Sequence, residues 1–316
     1  IGNVYCQFDP LSGPADSYIM MVAHFDSRFR QTKLQKTVYS YGAGDDAYGV
    51  GSILELLSQA LKYRDEWHQG VRILFTDSEE NALDGMKCAA KYNPELFENV
   101  GYVVNLESRG MDGPVLLFET SANNENVLDL YSEAKAPYGY SLTTVVYRFL
   151  PNNTDFTIVK DSIPGINFST IDNINYYHVD DDNFENINLA TIQHYGAQIE
   201  PILEEFLTSG EYRDPDALKG DEDLVFFTVP ILGIFSFTKP QFTLFCSVVF
   251  ALFCLALVLN ISARNATLKG VLKKALVIFL SSLLVLAMGE GIAFLTAKVA
   301  GTPFNITDTR YVMCSP

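Results

Sequence analysis

The sequence contains little cysteine and few basic residues. Its five cysteines are an odd number, and their spacing fits neither a disulfide framework nor a cysteine zinc knuckle. Lys and Arg total 22 against 38 Asp and Glu, and only seven of the basic and two of the acidic residues follow position 224. Residues 1–224 therefore hold 15 basic and 36 acidic side chains, and so negative a segment excludes nucleic acid as an expected partner.

A signal peptide is also missing from the start of the sequence. The chain begins at Ile1, and we expect it to be part of a longer protein. Hydrophobic residues form 48% of its 316 positions. This content is enough for a buried core and excludes general disorder.

Two long apolar runs lie near the C-terminus. Residues 242–260 carry no charge over roughly the 20 residues that a helix needs to cross a bilayer. Residues 275–297 form a second run, interrupted only by Glu290. We predict two transmembrane helices here, and hence a lipid bilayer as a partner. Residues 224–241 include Pro230 and are too short to span, so they are predicted to be an interfacial or strand-like segment that approaches the membrane.

The loop between these runs, residues 261–274, has only positive charge. Its basic residues are Arg264, Lys269, Lys273 and Lys274. The positive-inside rule places such a loop in the cytoplasm. We therefore expect the domain at 1–223 and the tail at 298–316 on the non-cytoplasmic side, which is lumenal or extracellular. Three glycosylation sequons fall on that side: those of Asn152, Asn167 and Asn305.

The domain at residues 1–223 alternates two kinds of pattern. Apolar, β-branched runs predict strands at 18–24, 71–75, 102–106, 115–118, 143–147 and 165–168. Stretches with helical spacing predict helices at 48–63, 85–91, 125–134 and 189–207. We therefore expect an α/β domain whose mostly parallel, mixed sheet is flanked by helices. In such folds the site lies at the carboxyl ends of the strands.

Acidic residues and histidines follow the ends of several predicted strands. They are His24 and Asp26, Asp45 and Asp46, Glu79 and Glu80, Glu107, and His178. Carboxylates gathered at one edge would repel one another, and a pair of divalent cations removes that repulsion. Two imidazoles, three carboxylates and a bridging hydroxide together carry a charge of about −4, which neutralises two Zn²⁺ ions. The absence of cysteine from this set of residues favours an open, catalytic zinc site over a closed, structural one.

The order of these residues resembles a known family. The motif series H-x-D, G-A-x-D-D-x-x-G, E-E, N-x-[DE] and Y-H-x-x-x-D is similar to that of the co-catalytic zinc aminopeptidases. That family includes glutamate carboxypeptidase and the secreted bacterial leucyl aminopeptidases, and the resemblance covers roughly residues 18–207. The layout of a domain followed by helices is most similar to the endoplasmic-reticulum and vacuolar membrane metallopeptidases.

The resemblance implies a zinc-exopeptidase-like fold with two Zn²⁺ ions per domain. It implies five metal ligands: His24, Asp45, Glu80, Glu107 and His178. Asp45 would bridge the two ions, Glu79 would be the general base, and the carboxylate of Asp26 would hold the other imidazole nitrogen of His24. Relatives also have a cis peptide bond between the two acids that correspond to Asp45 and Asp46. Many family aminopeptidases have Asp where this chain has Glu107, whereas the membrane branch has Glu.

The expected function is therefore that of a membrane-anchored di-zinc metallopeptidase, an exopeptidase of the aminopeptidase type that acts on peptide substrates. Two alternatives remain open. One is a single-zinc acyltransferase similar to glutaminyl cyclase. The other is a non-catalytic receptor or chaperone on a peptidase scaffold, although such proteins usually lose ligands and none of the five positions is empty here. The sequence leaves the oligomeric state open.

Overall fold

The computed structural model describes residues 2–28, 31–33, 36–150, 152–263 and 267–300. The chain divides into two compact units, Ile1–Thr238 and Lys239–Pro316. The first unit contains all the strands of the described residues. They are β1 (Val4–Phe8), β2 (Tyr18–His24), β3 (Gln31–Lys33), β4 (Lys36–Val38), β5 (Gly70–Thr76), β6 (Val100–Ser108), β7 (Leu116–Thr120), β8 (Gly165–Thr170), β9 (Leu224–Val229) and β10 (Gly233–Thr238).

Six of these strands form one mixed sheet in the order β1-β5-β2-β6-β8-β7. The four central strands are parallel, with Tyr18 opposite Gly70 on one side and opposite Val100 on the other. The edge strands β1 and β7 are antiparallel to their neighbours. The expected mostly parallel, mixed sheet is therefore confirmed, and its four central strands have their carboxyl ends along one edge.

Helices cover this sheet, and two further helices form the second unit. They are α1 (Ala47–Ala60), α2 (Asp84–Tyr92), α3 (Glu125–Tyr131), α4 (Ser141–Tyr147), α5 (Phe156–Val159), α6 (Leu189–Thr208), α7 (Lys239–Ser262) and α8 (Leu268–Ala300). Short 3₁₀ segments lie at Leu61–Glu66, Pro94–Phe97, Ile174–Tyr176, Phe184–Asn186 and Gly210–Arg213.

The sheet is buried on both faces. Successive residues of a strand point to opposite faces, and in β2 Ile19 and Met21 enter one apolar cluster while Met20 and Val22 enter another. Side chains of α1, α3 and α6 complete the first cluster, and those of α2 and α5 complete the second. This arrangement explains why β2 is a continuous apolar run without alternation.

One predicted strand is wrong. Residues 143–147 belong to the helix α4, although four of the five are β-branched. The hydroxyl groups of Thr143 and Thr144 both donate to the carbonyl of Phe118 in β7, at 3.2 and 2.9 Å. The ring of Tyr147 packs edge-on against that of Phe118, with centroids 4.9 Å apart. These tertiary contacts outweigh a strand propensity of a few tenths of a kcal/mol per residue.

The segment at 224–238 is a β-hairpin formed by β9 and β10. Gly233 pairs with Val229, and Thr238 pairs with Leu224. Ile231 in the turn has a positive φ of 72° and a fully exposed side chain. The main chain passes from Thr238 directly into α7.

Both helices of the second unit are long and apolar enough, by length and composition, to cross a membrane. Helix α8 begins at Leu268, so Lys269, Lys273 and Lys274 lie in its first turns and not in the loop where they were predicted. Arg264 of that loop and residues 301–316, including Asn305, lie outside the described residues.

Candidate metal centre

The carboxyl edge of the sheet brings most of the predicted site residues together. Strand β2 ends at His24, and Glu107 is the penultimate residue of β6. Glu79 and Glu80 lie in the turn that joins β5 to α2. His24, Glu79 and Glu107 are buried, with 8% or less of each residue exposed, and the side chain of Glu80 is also only 8% exposed.

Asp45 and His178 reach the same place from loops, and Asp45 is shared between two groups of donors. One oxygen of Asp45, Oδ1, lies 3.1 Å from Nε2 of His24, and the other, Oδ2, lies 3.0 Å from Nε2 of His178. Glu107 Oε2 lies 3.9 Å from the same nitrogen of His24, and Glu80 contacts His178. The donor atoms within each group, His24–Asp45–Glu107 and Asp45–Glu80–His178, lie within 4.8 Å of one another.

The donor set suits zinc. The Nδ1 atom of His24 lies 2.9 Å from the backbone carbonyl of Asp26, which can only accept, so Nδ1 carries a proton and Nε2 faces Asp45. A lone pair on Nε2 and a carboxylate oxygen repel each other unless a proton or a cation lies between them. Two donors at 3.1 Å are compatible with bonds of about 2.0–2.2 Å to one ion. Neither group includes a cysteine.

Asp26 has a role beyond the one predicted for it. Its backbone carbonyl is the nearest partner of His24, and its carboxylate lies farther away, at 3.5 Å. That carboxylate accepts hydrogen bonds from the backbone N–H groups of Glu79 and Glu80, at 3.0 and 3.3 Å. Asp26 therefore fixes the turn that carries both glutamates as well as the orientation of His24.

The loop that carries Asp45 is held by a second acid. The carboxylate of Asp182 accepts from the backbone N–H of Gly44 at 2.6 Å and from the hydroxyl of Ser40 at 2.9 Å. Gly42 has a φ of +71°, and a Cβ there would lie 2.9 Å from the carbonyl oxygen of Asp45. Asp182 is the last residue of the Y-H-x-x-x-D motif, and these hydrogen bonds show that it positions this loop.

The peptide bond between Asp45 and Asp46 is cis, which confirms the prediction. The side chain of Asp46 turns away from the donor groups and accepts from the backbone N–H of Gly49 at 3.1 Å, so it caps α1.

Glu107 is fixed from inside the sheet. Asn105 donates to Glu107 Oε1 at 3.2 Å and to the side-chain oxygen of Asn167 at 2.9 Å. Asn167 in turn donates to Glu119 at 3.2 Å, and Glu119 pairs with Lys160. The sequon at Asn167 is thus an internal hydrogen-bonding position, fully buried in β8, and is not a surface glycosylation site.

Burial and the neighbouring charges shift the pKa values of Glu79, Glu107 and His24. Burial and the nearby charge of Glu107 raise the pKa of Glu79 to about 10. Burial also raises the pKa of Glu107 to about 8, with Asp45 adding to the effect. Burial alone would lower the pKa of His24, but hydrogen bonds to Asp26 and Asp45 raise it well above the usual value. Bound cations would reverse the shifts of the two glutamates because they favour the ionised carboxylate.

Three residues near the metal centre were missed by the sequence analysis. Asp155 is buried beside Thr76, and burial raises its pKa to about 6. Arg109 follows β6 directly and lies over the ring of Tyr177, and Tyr147 lies on α4. Arg109 could have been noticed because it is two residues from Glu107. Tyr147 could not, because its segment was assigned to a strand.

The remaining histidines lie in neither donor group. His194 accepts from the backbone N–H of Val115 at 2.8 Å and contacts the carbonyl of Ala136 at 3.0 Å. His68 contacts Arg213 at 3.0 Å.

Comparison with known sequences gives one family and several membrane proteins. The model of peptidase family M28 matches residues 3–203. Endoplasmic reticulum metallopeptidase 1 of Homo sapiens is 30% identical over 246 residues, which cover 76% of this chain and 26% of that protein. The vacuolar membrane protease of Paracoccidioides lutzii is 27% identical over 250 residues, which cover 78% of this chain and 24% of that protein. The chain thus spans about a quarter of the length of these relatives.

Solved structures show the same fold. The aminopeptidase from Aneurinibacillus sp. strain AM-1 superposes with a TM-score of 0.50 and 18% sequence identity. The match covers 70% of this chain and 50% of that one. Identity at this level establishes the similarity of fold and not of activity.

We expect His178→Ala to lower the zinc content of the purified full-length chain by about half or more, since it removes one ligand of the second donor group. Elemental analysis of the protein in detergent measures this. His194→Ala is the matched control and should keep the wild-type zinc content, because His194 lies in neither donor group and contacts Val115, Ala136 and Gln198 instead. An unchanged zinc content in His178→Ala would remove His178 from the ligand set.

Proposed function

The chain belongs to peptidase family M28, and from this premise we propose that it is a membrane-anchored di-zinc metallopeptidase of the aminopeptidase type. It would bind two Zn²⁺ ions per domain and hydrolyse the peptide bond next to a free amino terminus. His24 and Glu107 would hold one ion, Glu80 and His178 the other, and Asp45 both.

The observation that carries this proposal is the position of Asp45. Its two oxygens face the imidazoles of two different histidines, at 3.1 and 3.0 Å. A carboxylate that only formed a hydrogen bond or capped a helix would need one such partner. Two donor groups that share one carboxylate are the arrangement that a two-metal site requires.

Zinc bound there would polarise the scissile carbonyl and lower the pKa of a bound water. Glu79 lies beside both donor groups but belongs to neither. Its carboxylate would accept the proton of the attacking water and then deliver it to the nitrogen of the leaving amine, which is a very poor leaving group as an anion. Asp26 holds Glu79 for this step through the hydrogen bond to its backbone N–H.

Two observations bear on the alternatives. Both donor groups are complete, which favours an enzyme over a receptor or chaperone that has lost its ligands. A single-zinc acyltransferase would need only one group, and here Glu80 and His178 supply a second one around Asp45. Release of a free N-terminal residue from aminoacyl and dipeptide substrates, with and without a chelator, separates hydrolysis from cyclisation.

The membrane layout is part of the proposal. Residues 1–223 would form the peptidase domain and 224–241 the segment at the interface, with spans at 242–260 and 275–297. The basic segment at 261–274, which includes the first turns of α8, would lie in the cytoplasm, and the domain and the tail at 298–316 on the lumenal or extracellular side. The relatives named above as reticulum and vacuolar membrane proteins support an internal membrane.

We expect Glu79→Gln to keep its zinc and to lose about 10²–10⁴-fold in kcat, because the amide cannot carry the proton while the ligands are unchanged. Kinetics and elemental analysis of the same preparation test this. Glu133→Gln, at an exposed position after α3, is the control and should match the wild type. A Glu79→Gln enzyme within a few-fold of the wild-type rate would exclude Glu79 as the general base.

We expect a membrane-impermeant maleimide to distinguish the two sides of the membrane. The test uses a chain whose own cysteines are replaced and a single cysteine introduced at Asn265 or at Glu133. In sealed microsomes with the cytoplasmic face outward, Asn265→Cys should be labelled at once and Glu133→Cys only after detergent. The opposite pattern would reverse the proposed orientation.

A further inference from the structure

We propose that the outer face of α4 and the turn of the β9–β10 hairpin together bind the surface of the lipid bilayer. This α4–hairpin surface consists of six exposed apolar side chains: Leu142, Val145, Val146, Phe149, Ile231 and Leu232. The inference rests on the membrane anchoring proposed above. It adds a contact of the domain itself with lipid, which anchoring by two helices does not require.

The apolar side chains of α4 form a stripe. Residues 142, 145, 146 and 149 recur at the spacing that places side chains on one face of a helix. Phe149 follows the helix, but its backbone N–H donates to the carbonyl of Val146 at 3.0 Å and so continues the turn. Leu142 and Phe149 are 71% and 74% exposed. An exposed apolar stripe of this kind indicates a contact surface.

The turn of the hairpin is the second part of the surface. Strand β9 ends at Val229 and β10 begins at Gly233, so the residues between them are Pro230, Ile231 and Leu232. Ile231 is fully exposed and Leu232 is 69% exposed. Turns in water usually contain Gly, Asn, Asp or Ser. Two large aliphatic side chains in this place favour a turn that enters an apolar phase.

Hydrogen bonds join the two parts. The backbone N–H of Thr228 in β9 donates to the carbonyl of Gly139, and the N–H of Gly139 donates to the hydroxyl of Thr228, both at 3.0 Å. The hydroxyl of Ser141, the first residue of α4, donates to the carbonyl of Phe226 at 3.1 Å. A partner that holds one part therefore also restrains the other.

The course of the chain identifies the partner as lipid. Strand β10 ends at Thr238, and the next residue, Lys239, begins α7. Helix α7 is long and apolar enough to cross a membrane. Consecutive Cα atoms are about 3.8 Å apart, so a helix that crosses the bilayer from this point fixes the base of the hairpin at the membrane surface.

The distribution of charge also favours lipid. Residues 1–224 hold 36 acidic side chains, about one position in six, and an anionic membrane surface repels them. Residues 135–154, which include α4, and residues 224–238, which form the hairpin, contain no Asp or Glu. Arg148 is exposed at the end of α4 and carries the charge that pairs with a lipid phosphate. These segments therefore suit both the headgroups and the apolar layer beneath them.

Fluorescence quenching of the full-length chain in liposomes of phosphatidylcholine and phosphatidylserine tests this inference. The cysteines of the chain are replaced, and one introduced cysteine carries the fluorophore NBD. Val145→Cys and Leu232→Cys report on the surface. Leu54→Cys and Leu11→Cys are matched controls, because these residues are 52% and 68% exposed against 49% and 69%. Val249→Cys lies within α7 and reports on the proposed span.

We expect nitroxide-labelled lipid to quench the label at positions 145 and 232 by about twofold or more. A nitroxide near the headgroup should act more strongly than one deep in the acyl chain, because interfacial side chains enter only about 5–10 Å. Aqueous iodide should quench both positions weakly. The labels at positions 11 and 54 should respond to iodide and not to the lipid, and the label at 249 should respond most to the deep nitroxide.

A charged variant tests whether the two parts bind lipid together. With the label at position 232, Val146→Asp/Phe149→Asp should reduce the lipid quenching by about half or more, because charge on α4 weakens its contact with the apolar layer. Leu11→Asp/Leu54→Asp is the control and should leave the quenching unchanged. The fluorescence of Trp67, which is buried and the one tryptophan of the chain, shows that each unlabelled variant is folded.

Three results would overturn the inference. Iodide quenching at position 145 or 232 as strong as at the controls would place that part of the surface in water. Shielding from iodide without quenching by lipid would mean that a polypeptide covers it. Quenching at position 232 that survives Val146→Asp/Phe149→Asp would show that the two parts do not act together. Absence of lipid quenching at position 249 would instead overturn the proposed span, and no outcome depends on peptidase activity.

Discussion

The main constraint on this structure is the repulsion among the carboxylates that the sheet gathers at one edge. Two like charges about 4 Å apart repel by roughly 4 kcal/mol at an effective dielectric constant of about 20. A few such pairs equal the net stability of an ordinary domain, which is about 5–15 kcal/mol. When only the charges of the chain itself act, protonation of the acids reduces the repulsion. The raised pKa values of Glu79 and Glu107 reflect this effect. Divalent cations are the other way to relieve the repulsion, and they leave the acids ionised for chemistry.

The elements around the site serve to hold this unfavourable cluster in place. Asp26 accepts from two backbone N–H groups of the turn after β5, and Asp182 accepts from the backbone N–H of Gly44 and the hydroxyl of Ser40 in the loop before α1. Asn105 holds Glu107 through a chain of hydrogen bonds that ends at an ion pair in the interior. Apart from the bond between Asn105 and Glu107, these contacts join segments that are distant in sequence. The rigid parallel strands therefore set the spacing of the donors, and hydrogen bonds to the loops set their orientation.

The sequence predicted the parts of this arrangement that depend on local pattern. Strands β2, β5, β6 and β8 are buried apolar runs and were identified for that reason, as was the order of the acids that follow them. Helix α4 was missed because its β-branched residues are stabilised by hydrogen bonds to Phe118, which no local pattern encodes. The same holds for the hydrogen bonds that Asp26 accepts from the turn of Glu79 and Glu80, and for Asn167, whose sequon conceals a buried hydrogen-bonding role. In each case the role of the residue depends on partners that are distant in sequence.

The central claim is that one carboxylate serves two metal ions, and a zinc titration of the chelator-treated full-length chain with Asp45→Ala tests it most directly. Calorimetry of the wild type should give about two zinc ions per chain. If Asp45 is shared, Asp45→Ala should weaken the binding of both ions together, since each donor group loses a ligand. A variant that binds one zinc ion with unchanged affinity and loses only the other would contradict the shared-carboxylate account.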